Sequence, residues 1–431
     1  MLQVNVKNDS YVFLYCDGVD NNIVELSGDD LRGKQIVILL EPNFCDMPTY
    51  GRRIIEQINK LIEMNGISNN IVLRPTPNSD KKFDFNKELN VEELLYKNYD
   101  NIKHPELISV MTLDYFATDV DNKMVPIYAV HPLPHCKDID RKIELFAADI
   151  KNSGLSSFEK FLAAHIICTR FMDTDSEYEQ DGVFINNPDL KNVYGSSMHI
   201  LSDGDDGYKI KCGGYVDLFS RIMRKMNLSS KPMILSNIEG NFGHVVSLVD
   251  INDEKYGIND TFVCDLRSDS DSRAHVEAEE RKDIRDSERY WGFNSLGYFC
   301  MNCDDFVALL GLNKFNSSII YSFDLVNSYS DCENFISKER IPIDSIKKAL
   351  GAVYRHMYSI NDNFDDYLNG GVLDRMKLDV NREIDFVKKM REIADSNMSN
   401  SNVSELNDMV DKNASNKNIN NGNNGKNEQK K

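Results

Sequence analysis

The chain has 431 residues, 41% of them apolar, and a formal charge of −19 at neutral pH; that length leaves room for two or three domains with ordinary buried cores. Acidity of this size repels phosphate backbones, so nucleic acid is not an expected partner. No apolar run reaches the roughly 18–20 residues of a membrane span, so no membrane role is expected.

The first residues show no basic stretch ahead of an apolar one, and the nine cysteines are scattered along the chain. Both features predict a cytoplasmic protein with reduced thiols. Residues 1–145 read as an α/β domain: "YVFLYC", "QIVILL", "NIVLRP" and "MVPIYAVHPLPHC" are short β-type runs, and "YGRRIIEQINKLIEMNGI" has helical periodicity. No glycine-rich phosphate loop occurs there, and no nucleotide or other cofactor is expected. Residues 146–318 begin with "SSFEKFLAAHIICTRFM", an amphipathic helix behind a capping serine. Next come "NVYGSSMHIL", the turn signal "GDDG" and a helix opening "CGGYVDLF". "GHVVSLVDINDEKYGINDTFVCDL" is a hairpin pattern, residues 266–290 are charge-dense, and "GYFCMNCDDFVALLGL" reads as a strand leading into a helix. Residues 319–395 look mostly helical, with "IDSIKKALGAVYRHMY" the clearest case. Residues 396–431 form an Asn/Lys-rich tail too polar to offset the entropy of ordering, which predicts disorder.

Chemistry concentrates around Cys212. Val216, Phe219, Ile222, Met223 and Met226 recur at the spacing of one buried helix face, with Arg221, Arg224 and Lys225 opposite. Cys212 then falls at the helix N-terminus, where unpaired N–H groups and the dipole favour a thiolate. A nucleophilic thiol needs a base and a group that orients the base. His244 opens a β-branched run, and Asp260 lies in the next one. A three-residue turn at Asn252, Asp253 and Glu254 would pair Ile251 with Lys255 and set Asp260 opposite Val246. Asp260 and His244 would then be diagonal neighbours on one face, roughly 7–8 Å apart at the backbone. Metal binding has little support: "CMNC" places Cys300 and Cys303 at ligand spacing without a second pair, and His131, His135 and Cys136 lie in a different segment.

This order of residues resembles the transglutaminase-like superfamily of papain-fold cysteine enzymes. The likeness rests on Cys212, Gly214 and Tyr215 at the helix start, His244 at a strand start, and Asp260–Thr261 on the following strand. "SSFEKFLAAHIICTRF" with His165 looks like the family's leading helix, and "GYFCMNCDDF" like the segment that often follows. Val246 and Ser247 stand where the family commonly has Trp and Asn. The resemblance implies an α+β fold, a papain-like core with the cysteine helix packed on an antiparallel sheet. It implies a Cys212–His244–Asp260 triad for acyl transfer on a protein or peptide amide, without metal or cofactor. Peptidase, glutamine deamidase and transglutaminase activity all stay open, and the alternative is an inactive protein-binding scaffold.

Overall fold

In the computed structural model the residues described are 2–7, 11–16, 34–41, 44–45, 48–65, 71–75, 85–118, 124–171, 173–174, 209–210, 212–237, 243–270, 296–312, 319–321, 334–359 and 380–400. The architecture is mixed α+β. In chain order the first strands are β1 (Leu2–Lys7), β2 (Tyr11–Cys16) and β3 (Gln35–Leu40), followed by α1 (Pro48–Asn65), β4 (Ile71–Pro75) and α2 (Phe85–Lys97). The strands β5 (Ile108–Thr118) and β6 (Met124–Pro132) then lead into α3 (Leu133–Lys151). The six strands form one sheet in sequence order, parallel across β2–β3–β4–β5 and antiparallel at both edges. Ile36, Ile38, Leu40, Ile71 and Leu73 are fully buried and apolar, as central parallel strands require.

The second half opens with α4 (Ser157–Phe171), then the short parallel pair β7 (Asp173–Thr174) and β8 (Lys209–Ile210), and then α5 (Cys212–Lys225). The remaining strands are β9 (Ser230–Asn237), β10 (Gly243–Asp253), β11 (Ile258–Cys264) and β12 (Ile319–Tyr321). Between and after them lie the helices α6 (Cys303–Leu312), α7 (Ile343–Ser359) and α8 (Val380–Asn400). The four strands make an antiparallel sheet in the order β11-β10-β9-β12. Strand alternation feeds two cores. Ile234, Val245, Val249 and Phe262 join the larger one with α4 and α5, and Met233, Leu235, Val246 and Val263 join a smaller one with α6 and α8.

The start of α4 shows how local sequence fixes an element. Ser156 and Glu159 form a capping box: the Ser156 N–H donates to Glu159 Oε2 at 2.8 Å, and the Glu159 N–H to Ser156 Oγ at 3.4 Å. Asp253, at the end of β10, accepts the Phe158 N–H at 2.6 Å and so ties the hairpin to this helix.

Several sequence expectations change here. Arg221 is not on a solvent face. It is 6% exposed, because α5 is covered on that side by α2, whose Glu92 takes its guanidinium through two hydrogen bonds of 2.6 and 3.1 Å. Helix α8 continues to Asn400, into the stretch read as tail, and residues 401–431 lie outside the described residues. "GDDG", "NVYGSSMHIL" and most of the charge-dense stretch after Ser270 also lie outside them.

Candidate active site

Helix α5 begins at Cys212, and ten of its residues from Gly214 to Met223 are buried. The apolar positions read from the periodicity are all inside: Val216, Phe219, Ile222, Met223 and Met226. Packing thus fixes the helix axis and leaves its first residue, half-buried Cys212, at the edge of the core.

Strand β10 supplies the other wall. It pairs with β9 from Gly243 onward, but with β11 only from Ser247 onward. The β11-facing edge over the first residues of β10 is therefore open, and Cys212 meets it there. Its sulfur hydrogen-bonds the His244 ring and the backbone N–H of Val245. Burial pushes the thiol up, but His244 and the Val245 N–H outweigh it, and the thiol ends below its ordinary range.

His244 is 4% exposed. Its Nε2 donates to Asp265 Oδ2 at 2.8 Å, which leaves Nδ1 for the Cys212 sulfur. Burial alone would lower the imidazole pKa. The Asp265 carboxylate and the Cys212 sulfur reverse this and hold it well above its usual value. Asp265 is buried and is itself held by Ser268, whose Oγ donates at 2.7 Å and whose N–H donates to Oδ1 at 3.1 Å. Against its burial, the His244 charge and these hydrogen bonds keep its carboxyl below the usual range. Sulfur, imidazole and carboxylate thus form one connected chain in which thiolate and imidazolium stabilise each other.

The structure brings Cys212 and His244 together and does not bring Asp260 to them. The hairpin turn occupies residues 254–257, with Gly257 in the left-handed region at φ 65°, so Asp253 pairs with Ile258 and Ile251 with Asp260. From Ile251 back to His244 is about 24 Å at the rise of a strand. Asp260 is exposed, and its Oδ1 accepts the N–H of Thr261 at 2.9 Å. A longer turn slides the second strand, and Asp265 then stands at the diagonal position expected for Asp260. One sequence signal pointed to Asp265: Asp-x-x-Ser directly after a strand is a helix-capping pattern, and Asp265 does cap the helical turn over residues 266–270.

The same short turn carries a second pair that sequence reading missed. Asp269 accepts from His165 Nε2 at 2.7 Å and from the Tyr298 N–H at 2.9 Å, with both side chains fully buried. Ser270 Oγ accepts the Tyr215 hydroxyl at 2.9 Å, which fastens the turn to α5. Residues 265–270 therefore brace α4, α5 and β10 at one point.

The residues weighed for metal lie apart. Cys300 belongs to the larger core and Cys303 to the smaller one. The rings of His131 and His135 are 6.0 Å apart, and burial pushes the Cys136 thiol up to about 12. Among the described residues no group of three or more His, Cys, Asp or Glu is placed to hold a metal ion, and no helix is long and apolar enough to cross a membrane. No protein-family model and no curated protein matches this sequence.

Proposed function

We propose that the protein is a cysteine-dependent acyl-transfer enzyme acting on protein or peptide amides, with Cys212, His244 and Asp265 as its triad. The observation that carries this reading is the hydrogen-bonded chain from the Cys212 sulfur through His244 to Asp265. A cysteine at the start of a buried helix, set against the opening of an antiparallel strand with histidine, also supports a transglutaminase-like, papain-type core.

In this mechanism the Cys212 thiolate attacks the amide carbonyl carbon. The Cys212 backbone N–H, at a helix start without an intrahelical acceptor, is a donor for the oxyanion that forms. The His244 imidazolium gives its Nδ1 proton to the leaving amine as the C–N bond breaks, leaving a thioester. Water or an amine then attacks the thioester, with His244 now accepting the proton. Asp265 holds the ring orientation throughout and stabilises its charged form. Water yields peptide cleavage or glutamine deamidation, and an amine yields cross-linking.

The test compares wild type with Cys212→Ala after incubation with cell lysate. Mass spectrometry scores new termini, deamidated glutamines and incorporated amines. At least one of these products is expected with wild type and none with the variant. Absence of any Cys212-dependent product would overturn the enzymatic reading.

A further inference from the structure

We propose that Cys264 and Cys300 are a dithiol–disulfide redox site, separate from Cys212 and oxidised by a small hydroperoxide. The two sulfurs are 3.7 Å apart. Beside them Val263 and Met301 pair antiparallel through hydrogen bonds of 3.0 and 2.7 Å. Cys264 and Cys300 are the next residues outward from that hydrogen-bonded pair. The bridge holds the two backbones together beside the cysteines, so closing a disulfide asks for a movement of the sulfurs only.

Three features separate this pair from two cysteines that merely share a core. Cys300 adopts φ 49°, a left-handed conformation uncommon for a residue with a side chain, and its N–H donates to the Cys264 sulfur at 3.4 Å. His165, anchored by Asp269 through Nε2, lies close enough to lower the Cys264 thiol, while its buried Nδ1 makes no hydrogen bond. The thiols are differentiated. Burial raises both, but hydrogen bonds from Cys300 and the nearness of His165 bring Cys264 below the ordinary range, whereas Cys300 stays well above it. That is a nucleophile beside a thiol that still carries its proton. Both residues are buried, at 0% and 4% exposure, which restricts the oxidant to something the size of hydrogen peroxide.

The step balances as follows. The Cys264 thiolate attacks one peroxide oxygen, the O–O bond breaks, and hydroxide leaves and is protonated to water. The Cys300 thiol then attacks the sulfur of the resulting sulfenic acid. The S–O bond breaks, a second water leaves, and the S–S bond closes. Two thiols are oxidised and one peroxide is reduced.

The full-length Cys212→Ala chain is the substrate for the test, which removes the other activated thiol and makes the readout independent of any acyl-transfer activity. It is treated with hydrogen peroxide, quenched, alkylated under denaturing conditions and mapped by mass spectrometry. A Cys264–Cys300 cross-linked peptide is expected. It should appear about tenfold faster than oxidation of Cys168, an equally buried thiol that burial alone pushes up. His165→Gln should slow its formation, and Cys300→Ala should leave Cys264 trapped by dimedone as a sulfenic acid. Quantitative alkylation of both cysteines after Cys168 has been consumed would overturn the proposal, as would a cross-link from Cys264 to any other cysteine.

Discussion

At Cys212, burial and electrostatics oppose each other, and the histidine decides the outcome. The thiol loses its proton at lower pH than a free cysteine, while His244 keeps its own to higher pH than a free histidine. In the proposed triad, thiolate and imidazolium coexist over a window bounded below by the Cys212 thiol and above by the His244 ring. Iodoacetamide labelling should be fast and selective for Cys212 at neutral pH, with its lower midpoint under the roughly 8.5 of an ordinary thiol. Asp265→Asn removes the carboxylate that raises His244, so the window should shrink from its alkaline side and the neutral-pH rate fall by about tenfold or more. Asp260→Asn should leave rate and profile unchanged. A rate loss in the Asp260 variant, with none in the Asp265 variant, would reverse the assignment. Cys212 and His244 were legible because helix periodicity and a β-branched run fix their local settings. Asp265 was not, because the turn length sets the strand register and two candidate lengths place different aspartates beside the same histidine.

The start of α4 is held in part by groups outside the helix. Its N-terminal N–H groups are met by Ser156, by Glu159 and, from the hairpin, by Asp253. Glu159 is buried and also accepts from the Tyr256 hydroxyl at 2.6 Å and from Lys255 Nζ at 2.5 Å. Burial raises its pKa, and these partners more than reverse that. A carboxyl depressed in the folded state stabilises it above its unfolded pKa, and that stabilisation is lost as pH falls through the folded value. Glu159→Gln should therefore lower the melting temperature at pH 7, and the deficit should shrink as pH drops below about 4. A deficit independent of pH would show that packing, not charge, is what the substitution removes. Strands β2, β3 and β4 were readable as apolar runs. Strand β5 and helix α2 carry no conspicuous apolar run, and residues 133–136 read as the end of the preceding β-type run although α3 begins there.

For the molecule as a whole, the telling contact joins the first sheet's layer to α5. Arg221 donates to Glu92 on α2 and, through Nε at 2.9 Å, to Asp217 on its own helix, while Tyr96 donates to Glu92 at 3.0 Å. Arg224 reaches Glu93 at 2.5 Å, and Lys225 reaches Asp140 on α3 at 2.6 Å. Removing one partner of a buried pair and leaving the other bare costs about 3–5 kcal/mol. Glu92→Ala leaves Arg221 with Asp217, so it should lower global stability by less than that in a denaturant titration and slow Cys212 labelling with it. A single variant as stable as wild type would show that the guanidinium finds water instead.

The domain boundary expected from the sequence falls at residue 145, yet α3 runs without a break from Leu133 to Lys151 across that point. An excised fragment beginning at residue 146 would retain only a stub of this helix. It would also lose α2, the cover over Arg221, and leave that guanidinium with one carboxylate where it now has two. Whatever residues 1–145 do besides, their helices α2 and α3 hold one side of the thiol's helix through Glu92, Glu93 and Asp140.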